Sequence, residues 1–431
     1  MPVHTLAEVF GNISTSQLIL GATTFALVIS IKAWAGGRKC TWERDWKGKM
    51  ILVVAPPTPA ILTLIDTLLH LPSPPQILYL PPIPTPLPES LLTILHTIRL
   101  SAESNPAAQL HCESLPSTPL SVRNFINKWN SSPAQVVGEG GRRIDSIILG
   151  KGWEVSEDNF KKTEKNEWGI HQFTFHFITS LLPSLLRSPP ERDIRIINLI
   201  SPTWSAALPS LQGIERKIKD DLVNSTGRRS INALLLMRHF QLILDTLEAA
   251  QRGKIKPVPN PEKPDENLKR KDDDVRSNIK GISVIMPWSR DEVLKGSIVF
   301  SALSRILWIV FYPLIILFTP SPKSTIQSIL FALSAPVRQG NIDETLKVAD
   351  QGKEVAEQRR NGVAGGDVVR DCAVVDLPPV LYDPLLAKAV YDELEKEVEK
   401  GVKASQADWK EQQAKAKAKA DKEKDKSGKA Q

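Results

Sequence analysis

Apolar positions along this chain fall into two kinds of run. Short, unbroken, β-branched runs come first, and residues 50–54 (Met-Ile-Leu-Val-Val) are the clearest of them. Such a run reads as a strand buried on both faces. Further stretches at 76–80, 109–113, 143–152, 193–201 and 281–287, several of them broken by polar residues, also read as strands. Between them lie longer stretches with apolar residues on most turns, at 60–69, 89–100, 121–129, 168–186 and 230–250, which read as helices. Strands alternating with helices predict an α/β fold, a doubly wound parallel sheet covered on both faces. Residues 368–377 supply a last strand stopped by Pro378 and Pro379. Residues 382–413 form a charged helix with few apolar positions, and 415–431 a Lys/Ala/Asp/Glu tail. No internal repeat is visible.

The same pattern sets the domain boundaries. From Val9 to Ile31 no residue is charged, which matches the roughly 20 residues a helix needs to cross a bilayer. Lys32, Arg38 and Lys39 follow, with Trp34 beside them, so residues 1–40 are expected to be a single-pass N-terminal membrane anchor with the rest of the chain cytosolic. The endoplasmic reticulum, a lipid droplet or the mitochondrial outer membrane would serve. Residues 46–380 are expected to form the main domain, and 381–431 a charged helix and tail. Within the domain, residues 253–280 are crowded with Lys, Asp, Glu and Pro and read as a disordered insertion. Residues 306–319 are uncharged, contain Pro313, and are short for a span, so they read as a membrane-contacting or cleft segment.

Composition narrows the chemistry. The formal charge of +7, from 55 basic and 48 acidic residues, is diluted over 431 residues and concentrated in the tail, which argues against a nucleic-acid partner. Three scattered cysteines, Cys40, Cys112 and Cys372, suit a reducing compartment and form neither a disulfide framework nor a zinc site. His171 and His176, in an apolar helix, lack the spacing and carboxylate of a metal pair, so no metal site is expected. Arg228, Arg229 and Arg238 could touch anionic headgroups; a solvated surface is the plainer reading. The triplets at 12–14, 130–132 and 224–226 fit the glycosylation pattern, which short sequences match by chance.

The turn after residues 50–54 is unusual. A dinucleotide-binding turn at this point needs glycines, for a sharp bend and for backbone N–H groups aimed at a pyrophosphate. Here no glycine occurs between Gly48 and Gly138, and Pro56, Pro57 and Pro59 have no N–H to offer.

Several phrases, in order, resemble the short-chain dehydrogenase/reductase family over roughly residues 46–377. Residues 143–152 (Arg-Ile-Asp-Ser-Ile-Ile-Leu-Gly-Lys-Gly) are similar to the family's strand leading to Asn-Ala-Gly, and 177–186 to its central helix. Residues 195–201 (Arg-Ile-Ile-Asn-Leu-Ile-Ser) resemble the strand that ends in the catalytic serine, and 284–287 falls where the family has Pro-Gly. The resemblance implies a Rossmann-like fold and an NAD(P) cofactor. Its glycines fall on Ala55, Pro59 and Ile61; the asparagine of Asn-Ala-Gly falls on Gly150, leaving Gly152; the adenine-contacting aspartate falls on Glu113. The asparagine of the central helix lands near His171, and Ser201 matches the catalytic serine.

The family's Tyr-x-x-x-Lys pair has no counterpart. The lysine there lowers the pKa of a phenol that otherwise titrates near about 10, so both residues are needed. Of the four tyrosines, Tyr79, Tyr312, Tyr382 and Tyr391, none has a lysine four residues on. By position the cofactor contacts would be Ala55, Glu113 and Gly152, with Ser201 the one catalytic match and no metal. The expectation is a membrane-anchored, non-catalytic binding or scaffold protein without a cofactor, whose partners are the bilayer and another protein or a lipophilic ligand. The alternative is an NAD(P)-dependent oxidoreductase acting on a lipophilic ketone, sterol or sphingoid/fatty-acyl intermediate.

Overall fold

The computed structural model describes residues 15–130, 143–150, 170–189, 191–211, 222–254, 277–288, 312, 316–338 and 361–428. After helix α1 (Thr15–Gly36), the chain alternates β1 (Met50–Val54), α2 (Pro59–Leu69), β2 (Gln76–Tyr79), α3 (Glu89–Ser101), β3 (Gln109–Cys112) and α4 (Pro119–Asn130). Then come β4 (Ser146–Leu149), α5 (Ile170–Leu186), β5 (Ile194–Ile200), α6 (Trp204–Leu211), α7 (Leu222–Lys254) and β6 (Ile279–Ile285). The described chain closes with α8 (Pro322–Thr325), α9 (Gln327–Ser334), β7 (Val368–Arg370), β8 (Ala373–Val374) and α10 (Pro384–Gly428).

The sheet runs β3-β2-β1-β4-β5-β6-β7-β8. Every pair is parallel as far as β7, and β8 returns antiparallel. The order turns back between β1 and β4, which is the switch point of a Rossmann-like doubly wound sheet. Alternation along β1 assigns its side chains to two cores. Ile51 and Val53 join the layer built by α2, α3 and α9, whereas Leu52 and Val54 join that of α4, α5 and α7. In α2, Ala60, Ile61, Leu64, Ile65, Leu68 and Leu69 make one buried stripe, the helical period seen in the sequence. β5 and β6 are buried along their whole length and pair over seven positions, Ile194 opposite Ile279 through Ile200 opposite Ile285.

Ion pairs close the N-terminal end of the strands. Asp145, wholly buried, receives the Arg192 guanidinium at 2.5 Å and the Met50 N–H at 2.8 Å. Asp193 holds Arg195 at 2.7 Å, Lys280 at 3.0 Å and Arg44 at 3.5 Å.

Five expectations change. Among the described residues no helix is long and apolar enough to cross a membrane. The expected single pass over residues 9–31 is therefore not supported: residues 15–31 lie in α1, and residues 1–14 lie outside the described set. The insertion at 253–280 is bounded too widely, because α7 continues to Lys254 and β6 begins at Ile279; residues 255–276 lie outside the described set. Residues 368–377 form two strands, turned by Asp371 and Cys372 at φ 50° and 55°. The charged C-terminal helix is longer than expected, and its first half is not merely solvated. Ala387, Leu394 and Val398 are buried, the last two packing beside Phe175 and Leu236. A sparse stripe at helical spacing is enough to seat it. Arg238 likewise stacks on the Tyr382 ring, 4.3 Å from its centroid, instead of facing outward. Of residues 306–319, only 312 and 316–319 are described.

Candidate functional site

The crevice outside the carboxyl ends of the strands, at the β1/β4 switch point, is where this fold holds its ligands. Ala55 ends β1 in full burial, and the chain turns through Pro56 and Pro57 to Thr58. The Thr58 N–H donates to Pro56 O at 2.8 Å, and Thr58 caps α2. Its Oγ1 accepts from the Ile61 N–H at 3.3 Å and its carbonyl from the Leu62 N–H at 3.0 Å. Pro59, the first helical residue, has no N–H. The donors that would meet a pyrophosphate at a helix N-terminus are therefore largely absent or turned inward.

Gly150, at the end of β4, closes the crevice from the other side. Its N–H donates to Val54 O at 2.7 Å. A Cβ here would stand 2.7 Å from Pro56 Cδ and 2.9 Å from both Cα and Cβ of Ala55. This is why a glycine occupies the position that the resemblance assigns to asparagine: the proline turn lies directly on the strand end. Gly152 lies outside the described residues. The Lys128 ammonium lies 2.6 Å from Glu113 Oε1. Both side chains are well exposed, so the pair is a weak surface contact. Among the described residues at the switch point, the turn after β1 offers few backbone donors to a pyrophosphate.

Ser201 ends β5 as expected but is sealed, 1% exposed. Its N–H donates to Ser230 Oγ at 3.1 Å. Its Oγ accepts from Thr203 Oγ1 at 2.9 Å and from the Thr203 N–H at 3.3 Å. Thr203 Oγ1 lies 3.2 Å from Thr226 Oγ1, and Ser230 Oγ donates to Thr226 O at 3.0 Å. Four buried hydroxyls thus join the end of β5 to the first turns of α7. Gly227 permits the approach: a Cβ there would lie 2.6 Å from Thr203 O and 2.9 Å from Ala207 Cβ. Aliphatic hydroxyls hold a fixed geometry well, but they do not titrate near neutral pH, so this set has no proton to exchange.

Sequence reading named Ser201 and missed its three partners. Thr226 and Ser230 stand four apart, the spacing of the absent Tyr-x-x-x-Lys pair, and that spacing was the signal available. His171 stands at the start of α5, and its side chain lies outside the described set. His176 lies five residues on, beside Ser180, whose Oγ is 3.5 Å from its Nδ1. It lines a hollow of about 140 Å³ with Arg123 and Val402, between α4, α5 and α10. Burial holds its imidazole below the usual pKa and so neutral. Among the described residues no cluster of His, Cys, Asp and Glu could hold a metal ion.

No family model matches the chain. A Saccharomyces cerevisiae protein described as an uncharacterized oxidoreductase is 24% identical over 339 residues, covering 73% of this chain and 75% of the yeast one. Among solved structures, L-sorbose reductase from Gluconobacter frateurii, complexed with NADPH and L-sorbose, overlaps at a TM-score of 0.36 and 14% identity, over 68% of this chain and 92% of that one. A short-chain dehydrogenase from Mycobacterium smegmatis gives 0.36 and 11%, over 69% and 90%. At such TM-scores neither adds to what the strand order already establishes. The chain is a Rossmann-like α/β protein with a remote sequence likeness to a yeast oxidoreductase.

Proposed function

We propose that this chain is a non-catalytic binding module on a Rossmann-like scaffold, with neither a nicotinamide cofactor nor serine–tyrosine–lysine chemistry. One observation carries the reading: Ser201, the single residue in register with a catalytic role, is spent in a sealed set of neutral hydroxyls. The proline turn packed on Gly150 supports it, because that turn fills the ground a pyrophosphate would need. What such a module holds is a partner protein or a lipophilic ligand. Its place of work is the cytosolic face of an internal membrane, which the basic residues after α1, Arg38 and Lys39, favour.

A second reading is favoured by the likeness to the yeast protein: an NAD(P)-dependent oxidoreductase on a lipophilic substrate. It needs a proton donor outside the hydroxyl set and a cofactor held without the first turn. The test is hydride transfer from 4-deuterated NADPH to a panel of lipophilic ketones and sterols, using the full chain. No transfer above background is expected. Stereospecific transfer that is lost in Ser201→Ala would overturn the binding-module reading.

A further inference from the structure

We infer that α1 is a lipid-embedded helix that fastens the domain to a bilayer from one side, with its C-terminal end fixed at headgroup level by the segment around Ile316 to Ser324. The inference rests on the membrane placement proposed above, and it is independent of the state of the cleft.

Every described side chain from Ile19 to Ser30 is exposed. Among them Leu20 is 66% and Phe25 68% exposed, which no water-facing helix needs. At about 100° per residue, Ile19, Leu20, Phe25, Leu27, Val28 and Ile29 point to every side of the helix. A helix that docks in a protein groove shows one apolar stripe and a polar back; a helix apolar all round needs an apolar surround.

The polar side chains of this stretch point the same way. Thr23 Oγ1 donates to Ile19 O and Thr24 Oγ1 to Leu20 O, each at 2.9 Å, and Ser30 Oγ donates to Ala26 O at 2.8 Å. Each hydroxyl is satisfied within the helix itself, as hydrocarbon requires and water does not.

The lower end is anchored and charged. Lys32 Nζ donates to Ile316 O at 2.7 Å and to Thr319 O at 3.3 Å, and Ser324 Oγ donates to Gly36 O. The Cys40 N–H donates to Gln327 Oε1 at 2.9 Å. These contacts tie the C-terminal end of the helix to the domain. Around that base stand exposed Arg38, Lys39 and Lys323, with Trp42, 37% exposed, and Phe318, 54% exposed. Cations suit anionic headgroups, and Trp suits the interface. The apolar stretch from Ile19 to Ile31 rises about 20 Å at 1.5 Å per residue. That is short of a hydrocarbon core of about 30 Å, and among the described residues no helix is long and apolar enough to cross a membrane.

The test is flotation of the full chain, purified in detergent, with phosphatidylcholine vesicles with and without phosphatidylserine. The chain should float with both and more completely with the anionic lipid. Phe25→Asp and Ile29→Asp should each weaken partition by roughly a hundredfold. Their unfolding midpoints should match the parent's, because these side chains touch no core. Failure of the parent to float would overturn the membrane placement and this inference together. Flotation kept by both variants would leave the placement standing and overturn α1 as its carrier. A vesicle-free dimer dissolved by Phe25→Asp would make a second copy the occupant, and a Ser16→Cys thiol labelled only from the vesicle interior would overturn one-sided entry.

Discussion

Replacing Gly227 by alanine gives opposite signs for a closed and an open cleft. In a helix interior, Gly→Ala ordinarily stabilises by about 1 kcal/mol, since glycine loses more backbone freedom on folding. Gly227 lies inside α7, five residues past its start at Leu222, so an uncrowded α7 would gain that amount. The observed packing forbids it. The new Cβ would sit 2.6 Å from the Thr203 carbonyl oxygen and 2.9 Å from Ala207 Cβ. Neither obstacle is the loose end of a flexible side chain, so α7 and the loop after β5 must move apart. Overpacking of this kind costs about 1–3 kcal/mol, and backbone on one side places it at the upper end. The net expectation is a loss of about 1–2 kcal/mol, read as a lower urea midpoint with an unchanged slope. Asn232→Ala, at an exposed position of the same helix, is the control and should be neutral or slightly stabilising. A Gly227→Ala midpoint at or above the parent's would refute the closed packing around Ser201.

Two further outcomes follow from the same geometry. Gly150→Ala should also destabilise, by about 1–3 kcal/mol, because Ala55 and Pro56 stand within 2.9 Å of the new atom; a neutral urea midpoint would mean that the proline turn lifts off β4. Burial alone would raise the pKa of Asp193, but Arg195, Lys280 and Arg44 outweigh it and hold the carboxyl below its ordinary value. A folded pKa below the unfolded one gives stability that is complete above about pH 4 and lost as pH falls further. Asp193→Asn should therefore lower the urea midpoint at neutral pH and flatten its fall below about pH 4, and an unchanged acid limb would refute the ion network.

Most of the sheet was legible because burial leaves a plain mark. β1, β4, β5 and β6 are buried at nearly every position, and an unbroken apolar run has few other meanings. The hairpin of β7 and β8 was read as one strand because its turn uses Asp371 and Cys372 in the left-handed region, where glycine is the usual signal. Helices α8 and α9 were missed; each is short, and α9 is buried on several faces through Ile329, Phe331, Ala332 and Leu333, which blurs the helical period. At the candidate site, Ser201 could be placed by the strand before it. Its closure could not, because Thr203, Thr226 and Ser230 are ordinary residues in sequence and become a set only when α7 crosses the end of β5. The proline turn after β1 was legible as chemistry, and its contact with Gly150 was not.

Equilibrium binding of NADPH and NADH to the full chain, by calorimetry, tests the central claim most directly. With Pro59 lacking an N–H, the Thr58 N–H turned to Pro56 O and the Ile61 N–H to Thr58 Oγ1, two or three charge-assisted hydrogen bonds to a pyrophosphate are missing, each worth about 1.5–3 kcal/mol. Binding weaker by roughly a hundredfold or more follows. No heat of binding is expected at sub-millimolar dinucleotide, whereas saturable binding in the micromolar range, weakened by a substitution at Thr58 or Gly150, would contradict the closed crevice.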